Sequence, residues 1–231
     1  MPHGSLVLVA TPIGNLGDLS RRAAEVLAEA DVVACEDTRP SGRLLRHLGI
    51  DQRLVSLHEH NEKRRVPGLL ARLEEGQTVA LISDAGTPLL SAPGFLLVRE
   101  AVARDIEVRV VPGPSAALAA LVVSGLPPHP FTFAGFPPPK SGRRRTFYRR
   151  WADLDHTLIV FESPHRLRAS LRDALAELGD RPAALAREMT KLHEEVLRGS
   201  LAEIVGTVET RPSVKGELVL VVGAARSDTA S

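Results

Sequence analysis

Five short, near-continuous apolar runs punctuate the first half of the chain: Leu6–Thr11, Val32–Cys35, Leu54–Leu57, Thr78–Ser83 and Val108–Val111. A strand with one face in water alternates apolar and polar residues. A run that is apolar throughout is buried on both faces, which points to a parallel sheet lying under helices. The segments between the runs predict helices near Ser20–Ala30, Ser41–His47 and Gly94–Arg104. A further helix is expected to open at Pro67, where a first-turn proline is tolerated. This is an α/β domain, mostly parallel and doubly wound, with ligands expected at the C-terminal ends of its strands.

The second half reads differently. Pro112-Gly-Pro-Ser115 opens a helix to about Ser124, and Gly125-Leu-Pro-Pro-His-Pro130 then breaks the chain. Strands are expected near Phe131–Phe136, Thr157–Phe161, Ala183–Ala186 and Leu218–Val222, with another over residues 193–199. Helices are expected near Thr146–Asp153, Pro164–Leu178 and Leu201–Val208. This mixed α+β sheet domain sets the expected organisation: residues 1–114, residues 115–225, and a small polar tail, 226–231, that frays. The longest apolar run, Ala116–Val123, is far short of the roughly 20 residues a spanning helix needs. Cys35 is the only cysteine, so no intrachain disulfide forms. No basic segment followed by an apolar one is visible at Met1, and the expected location is the cytoplasm.

Four loops carry groups suited to chemistry. Thr11-Pro-Ile-Gly-Asn-Leu-Gly-Asp18 follows the first strand, and its glycines allow close backbone approach. It lacks both the G-x-G-x-x-G fingerprint and the Walker lysine, which argues against a dinucleotide or ATP phosphate site. Cys35-Glu-Asp-Thr-Arg39 ends the second strand with three ionisable groups. Ser83-Asp-Ala-Gly-Thr-Pro88 places a carboxylate, a hydroxyl and a glycine at the end of the fourth. Pro112-Gly-Pro-Ser-Ala116 offers a helix start with Ser115 as a natural N-cap. Each also has a plain structural reading as a turn, a solvated loop or a capped helix. His58 and His60 alternate after a strand, but no third ligand stands at usable spacing, so no metal is expected.

Net charge is +1, yet residues 1–114 carry −2 and residues 115–231 carry +3. Six of the eleven residues in Lys140–Arg150 are basic, and six of the eight aromatics lie in residues 131–151. Cations neutralise phosphates and aromatics stack on unpaired bases, so this segment is a candidate RNA contact through Lys140, Arg143, Arg144 and Arg145. Arginine outnumbers lysine 25 to 4 across the chain. An Arg-rich solvated helix with its aromatics in the core is therefore the competing reading.

Taken in order, seven segments resemble a family of bacterial methyltransferases within the tetrapyrrole methylase superfamily, which act on a cytidine ribose 2′-oxygen of 16S rRNA. The first four are Thr11–Asp18, Glu36–Arg39, Ser83–Pro88 and Pro112–Ala116. The others are Glu162-Ser-Pro-His-Arg166, Ala186-Arg-Glu-Met-Thr-Lys191 and Lys215-Gly-Glu217. Pro40, Ala92 and Pro137 depart from the family pattern. The resemblance implies two α/β domains holding S-adenosyl-L-methionine between them, a homodimer, and a 16S rRNA substrate in the small ribosomal subunit. By motif match it assigns cofactor contacts to Pro12, Gly14, Asp84, Gly86, Thr87, Pro88, Leu90, Ser115, Ala116, Phe161, Met189 and Glu217. Asp37 and Lys191 are the candidate base or base-assisting groups, Lys191 acting as a base only if its pKa is lowered and otherwise stabilising the developing alkoxide, and Arg39 joins the candidate RNA contacts. A tetrapyrrole methyltransferase of the same fold and a non-catalytic RNA-binding module are the alternatives.

Overall fold

A computed structural model describes residues 4–225; the expected frayed tail, 226–231, lies outside them. The chain divides into two compact units that meet in sequence between Ser115 and Ala116.

The first unit holds β1 (Ser5–Val9), β2 (Val32–Cys35), β3 (Leu54–Ser56), β4 (Val79–Ile82) and β5 (Glu107–Val111). They form one sheet in the order β3-β2-β4-β1-β5, every pair parallel. The three inner strands β1, β2 and β4 are buried along their whole length. Helices α1 (Arg21–Glu29), α2 (Thr38–His47), α3 (Glu62–Glu74) and α4 (Phe95–Val102) follow successive strands. Alternate residues of a strand face opposite sides. Accordingly Leu6, Leu8, Val32, Ala34 and Leu81 cluster with α3 and α4 through Leu69, Leu73 and Leu97. Val7, Val9, Val33, Cys35 and Ile82 cluster with α1 and α2 through Leu27 and Leu45. The helix after β1 therefore covers one face, and the helix after its neighbour β4 covers the other. That reversal is the topological switch point, where an open α/β sheet leaves a crevice at its C-terminal edge.

Two helices of this unit start earlier than local rules predict. α3 begins at Glu62 rather than Pro67, so Pro67 lies inside it. Tertiary anchors outweigh the one helical bond the proline forfeits: the Glu62 carboxylate accepts from Gly94 N at 3.1 Å and Leu96 N at 3.0 Å, and buried Asn61 accepts from His58 N at 2.9 Å. α2 begins at Thr38 rather than Ser41, because Asp37 caps it, accepting from Arg39 N at 2.8 Å. Pro40 then falls in the first turn, where it costs little.

The second unit holds β6 (Phe131–Phe133), β7 (Thr157–Glu162), β8 (Pro182–Arg187), β9 (Glu195–Ser200) and β10 (Leu218–Val222). Their order is β6-β7-β10-β8-β9, parallel only at β6/β7. Helices α5 (Ala116–Ser124), α6 (Ser141–Arg149), α7 (Leu167–Leu178) and α8 (Leu201–Thr210) complete it. One face of the sheet packs with α6, α7 and α8 around Tyr148, Leu158, Leu171, Ile204 and Leu220. The expected class, a parallel sheet followed by a mixed one, is the one observed. Among the described residues no helix is long and apolar enough to cross a membrane.

Candidate active site

The loops after β1, β4 and β5 are laced together at the switch point. Thr11 and Gly86 exchange both backbone hydrogen bonds, at 3.0 and 3.1 Å. Thr11 Oγ1 donates to the Ser83 carbonyl at 3.1 Å, Ser83 Oγ to the Gly86 carbonyl at 3.0 Å, and Thr87 Oγ1 to the Pro114 carbonyl at 3.1 Å. Gly86 has φ +78°, and a Cβ there would stand 3.2 Å from Ile13 Cγ2 and 3.5 Å from the Pro114 carbonyl oxygen. Its nearest neighbours are the two adjoining loops. Of the other expected contacts, Pro88 is buried, Pro12 is half-buried, and Gly14 and Leu90 are exposed. Leu89 and Ser91, which flank Leu90, both have left-handed backbone, at φ 72° and 61°.

The loop after β2 joins this group through one bond, Asp37 N donating to Asp84 Oδ1 at 3.1 Å. Glu36, Asp37 and Asp84 thus crowd one rim. Asp84 is exposed as a residue, yet partial desolvation of its carboxyl, with the Asp37 charge, raises its pKa against the hydrogen bond from Asp37 N. Burial, followed by the Asp84, Glu59 and Asp37 charges, raises that of Glu36. Asp37 moves the other way. Hydrogen bonds from the Arg39 side chain (Nη2 to Oδ2, 2.5 Å) and from Arg39 N hold it at about 2. A general base works best with a pKa near the operating pH, so Asp37 is poorly matched to the expected base role. Its geometry is that of a helix cap and an anchor for Arg39. Arg39, expected to contact RNA, makes this ion pair with its side chain still 83 % exposed. The acidic rim suits a ligand bearing positive charge, such as an ammonium or sulfonium, and repels phosphate.

In the second unit Lys191 Nζ lies 2.9 Å from Glu188 Oε1 and 3.2 Å from Glu217 Oε2. Burial alone would lower the Lys191 pKa. The hydrogen bond to Glu188 and the Glu217 charge outweigh it and the net shift is upward. The conditional role of Lys191 as a neutral base fails on this geometry, and a permanent cation remains. Glu188 is the residue that motif reading missed. Its Oε1 also accepts from Glu217 N at 2.9 Å, and Gly216, at φ +99°, makes room for it: a Cβ there would sit 2.5 Å from the Glu188 side chain. Met189 is buried beside it, and Phe161 packs against Phe133 and Phe136, with ring centroids 4.8 and 5.3 Å away. Ser115 ends the first unit and Ala116 opens α5 of the second.

The basic segment forms α6, which opens at Ser141 rather than at the expected Thr146, and three of its six basic residues are already paired. Arg144 is 4 % exposed; its Nε and Nη2 reach Asp173 Oδ2 at 2.8 and 2.7 Å, and its Nη1 donates to the Pro139 carbonyl. That burial removes Arg144 from the expected RNA contacts. Arg145 and Arg149 share Glu177, at 2.6 and 2.8 Å. Tyr148 is fully buried and donates to Glu162 Oε1 at 2.7 Å, so its ring offers no platform for bases, while Phe147 and Trp151 are half-buried against the core. Lys140 and Arg143 remain exposed. A second cationic surface flanks a cavity of about 390 Å³ at the start of α7, lined by Pro164, His165, Arg166, Leu167, Arg168 and Arg172. Its signal was the His165-Arg166 pair, whose loop follows Glu162, itself buried under Tyr148 and Ser170.

Residues 5–205 match the family pattern of the Tetrapyrrole (Corrin/Porphyrin) Methylases. A protein of Micromonospora olivasterospora named Ribosomal RNA small subunit methyltransferase I is 51% identical over 219 residues, 95% of this chain and 70% of that one. One of the same name from Escherichia coli O157:H7 is 48% identical over 222 residues, 95% and 78%. Among solved structures, Uroporphyrin III C-methyl transferase from Thermus thermophilus superposes with a TM-score of 0.66 at 21% identity, covering 94% of this chain and 96% of that one. A diphthine synthase gives 0.70 at 18% identity, covering 95% and 89%. At those identities the two structures share the fold and no more.

Proposed function

The chain belongs to the tetrapyrrole methylase family, and from that premise we propose that it methylates the ribose 2′-oxygen of a cytidine in 16S rRNA, using S-adenosyl-L-methionine. The observation that carries this reading is the convergence of the Thr11–Asp18, Glu36–Arg39, Ser83–Pro88 and Pro112–Ser115 loops on one switch point, in a chain about half identical to relatives named for small-subunit rRNA methylation. An acidic rim without a phosphate cradle favours this cofactor over a nucleotide triphosphate or dinucleotide.

Pro12, Gly14, Asp84, Gly86, Thr87, Pro88, Leu90 and Ser115 from the first unit, and Ala116, Phe161, Met189 and Glu217 from the second, are the residues we assign to cofactor binding. Gly86 acts there through the loop conformation it permits. When bound, S-adenosyl-L-methionine supplies a methyl group already activated by its sulfonium. Lys191, kept cationic by Glu188 and Glu217, stabilises the negative charge that develops on the acceptor oxygen. Asp37 holds the start of α2 and, through its N–H, the carboxylate of Asp84. Lys140 and Arg143, exposed cations of the α6 segment that have no ion-pair partner among the described residues, contact RNA phosphates. The enzyme acts in the cytoplasm on the 30S subunit or its RNA, as a homodimer.

The test is incubation of the purified protein and S-adenosyl-L-methionine with 30S subunits, naked 16S rRNA and a tetrapyrrole in parallel, followed by primer-extension mapping of 2′-O-methyl stops. One new stop at a cytidine is expected. Methylation of the tetrapyrrole alone would overturn the reading, and cofactor affinity seen by calorimetry without turnover on any substrate would leave only a binding module.

A further inference from the structure

We propose that two adjoining cavities of the second unit form a track for the sugar–phosphate backbone of the RNA strand that carries the acceptor nucleotide, with Arg166 and Lys215 as its principal phosphate contacts. This rests on the RNA reading above and adds the surface along which the strand is held.

The larger cavity, about 390 Å³, lies at the start of α7, and a smaller one, about 210 Å³, lies beside the end of β8. They share Ser213 and Val214 as a common wall. Arg166, Arg168 and Arg172 line the first, and Arg187, Arg211 and Lys215 line the second. No carboxylate lines either cavity among the described residues. A single small anion would fill one cavity. Two in a row with the same cationic walls suit a polymer of regularly spaced phosphates, whose charge Lys and Arg neutralise.

Four of these six cations already have another duty. Arg172 pairs with Glu209 at 2.6 Å, and Arg187 and Arg211 share Glu195 at 3.2 and 2.6 Å. Arg168 donates to the Val208 and Arg211 carbonyls, which fixes the segment after α8 against α7. Arg166 and Lys215 are left, their side chains with neither a carboxylate nor a hydrogen bond among the described residues. Arg166 is half-buried, so its guanidinium gives up hydration with no partner in return, a cost that an entering anion relieves. Its place is fixed from below. Glu162, buried at the end of β7, accepts from Tyr148 Oη at 2.7 Å and from Ser170 Oγ of α7 at 2.5 Å, which clamps the loop of residues 163–166 between strand and helix. The Lys215 carbonyl accepts from Arg187 Nη1 at 3.2 Å. Arg187 directly precedes Glu188, and Lys215 stands two residues before Glu217. Those two carboxylates hold Lys191, so the track ends beside the cation assigned to the acceptor oxygen.

Filter binding of 16S rRNA between about 50 and 200 mM KCl tests this. The proteins are wild type, Arg166→Gln, Lys215→Gln, the double variant, and Arg65→Gln as a charge control. Arg65 is an exposed cation of α3 that lines neither cavity. Each single variant should make the log–log salt slope shallower by about 0.7 to 0.9. Over that salt range the double variant should therefore lose roughly tenfold less affinity than wild type, while Arg65→Gln keeps the wild-type slope. The kcat at saturating RNA and the calorimetric affinity for S-adenosyl-L-methionine should stay within about threefold of wild type, because a backbone contact acts in binding. Lys215 is exposed, so Lys215→Gln carries the test alone if Arg166→Gln fails to fold. The track is overturned if either folded single variant keeps the wild-type slope, if Arg65→Gln flattens it equally, or if the loss appears in kcat at saturating RNA rather than in affinity. Wild type that neither binds nor methylates RNA sinks the RNA reading itself.

Discussion

At the ends of β2 and β4, the Glu36, Asp37 and Asp84 carboxylates crowd together, and among the described residues only Asp37 makes an ion pair, with Arg39. Along α6, by contrast, Arg144, Arg145 and Arg149 each meet a carboxylate of α7. Both segments are dense in charge in the sequence. The first leaves charge unneutralised at a crevice, and perturbed groups in a crevice are what a binding site needs. The second spends its charge holding two helices together. Charge density alone therefore does not locate function; the charge left over after local pairing does.

Lys191 is where this comparison is most exposed to failure. Its two carboxylates neutralise it on paper, which would place it with α6, yet the proposed role is catalytic. Lys191→Met should lower the single-turnover methylation rate by about a thousandfold, roughly 4 kcal/mol in the barrier, with cofactor affinity changed less than tenfold. Because its pKa lies above the ordinary 10.5, it stays protonated from pH 6 to 9, and no inflection of the wild-type rate in that window should vanish in the variant. A near-wild-type rate would make the Glu188–Lys191–Glu217 cluster a structural tie like those of α6.

Arg144 tests the other side. Its side chain is 5 % exposed and that of Asp173 14 %. Removing one member of a buried pair strands the other, at a cost of about 3 kcal/mol. Arg144→Leu should show that loss in urea unfolding while RNA affinity of the folded protein is kept. Arg143→Ala should do the reverse, with unchanged stability and a log–log salt slope of RNA binding shallower by about one. If Arg144→Leu instead flattened the salt slope, the division between spent and available charge would collapse.

These outcomes bear on what was legible beforehand. The parallel sheet was, because Val32–Cys35 and its companions are apolar without alternation. The loops of the crevice were, because their residues are local to strand ends. Pairings across elements were not. Arg144 and Asp173 lie 29 residues apart, and no pattern within Lys140–Arg150 reveals that an acidic stripe on α7 will face it. Glu188 escaped for the same reason, since its partners Gly216 and Glu217 arrive on another segment. Pro67 misled because the helix rule is local, whereas the bonds from Glu62 to Gly94 and Leu96 reach across to α4.

Gly86 sharpens the picture of the crevice at a smaller scale. Gly86→Ala must hold an L-residue at φ +78° and push Ile13, whereas Gly49→Ala, at φ +68°, meets nothing within 4 Å. Left-handed backbone costs an L-residue roughly 1–2 kcal/mol. Gly86→Ala should cost about 2 kcal/mol in thermal unfolding and Gly49→Ala about 1 kcal/mol. Only the former should weaken S-adenosyl-L-methionine binding. Equal costs would mean the loops yield around Gly86 and are less tightly laced than their hydrogen bonds imply.

The smallest effect is expected at Asp37, although it sits in the middle of the acidic rim. Asparagine caps a helix as well as aspartate does, and Asp37→Asn keeps the backbone N–H that reaches Asp84. What is lost is the charge that holds Arg39. With its folded pKa depressed from 3.8 to about 2, Asp37 contributes stability that is present above pH 3.8 and fades as pH falls through about 2. Neutral-pH behaviour should barely register the substitution: a single-turnover rate within threefold of wild type, and no altered pH dependence between pH 5 and 9. Arg39→Gln gives the matching control, since removing the guanidinium returns the Asp37 carboxyl toward 3.8, still too acidic for a base at neutral pH, and the rate should again hold. A hundredfold loss in Asp37→Asn, with binding intact, would instead mean that the Arg39 pair opens during turnover and frees this carboxylate for proton transfer. The rim would then contain a working base disguised as a helix cap, and local pairing would no longer separate structural charge from functional charge.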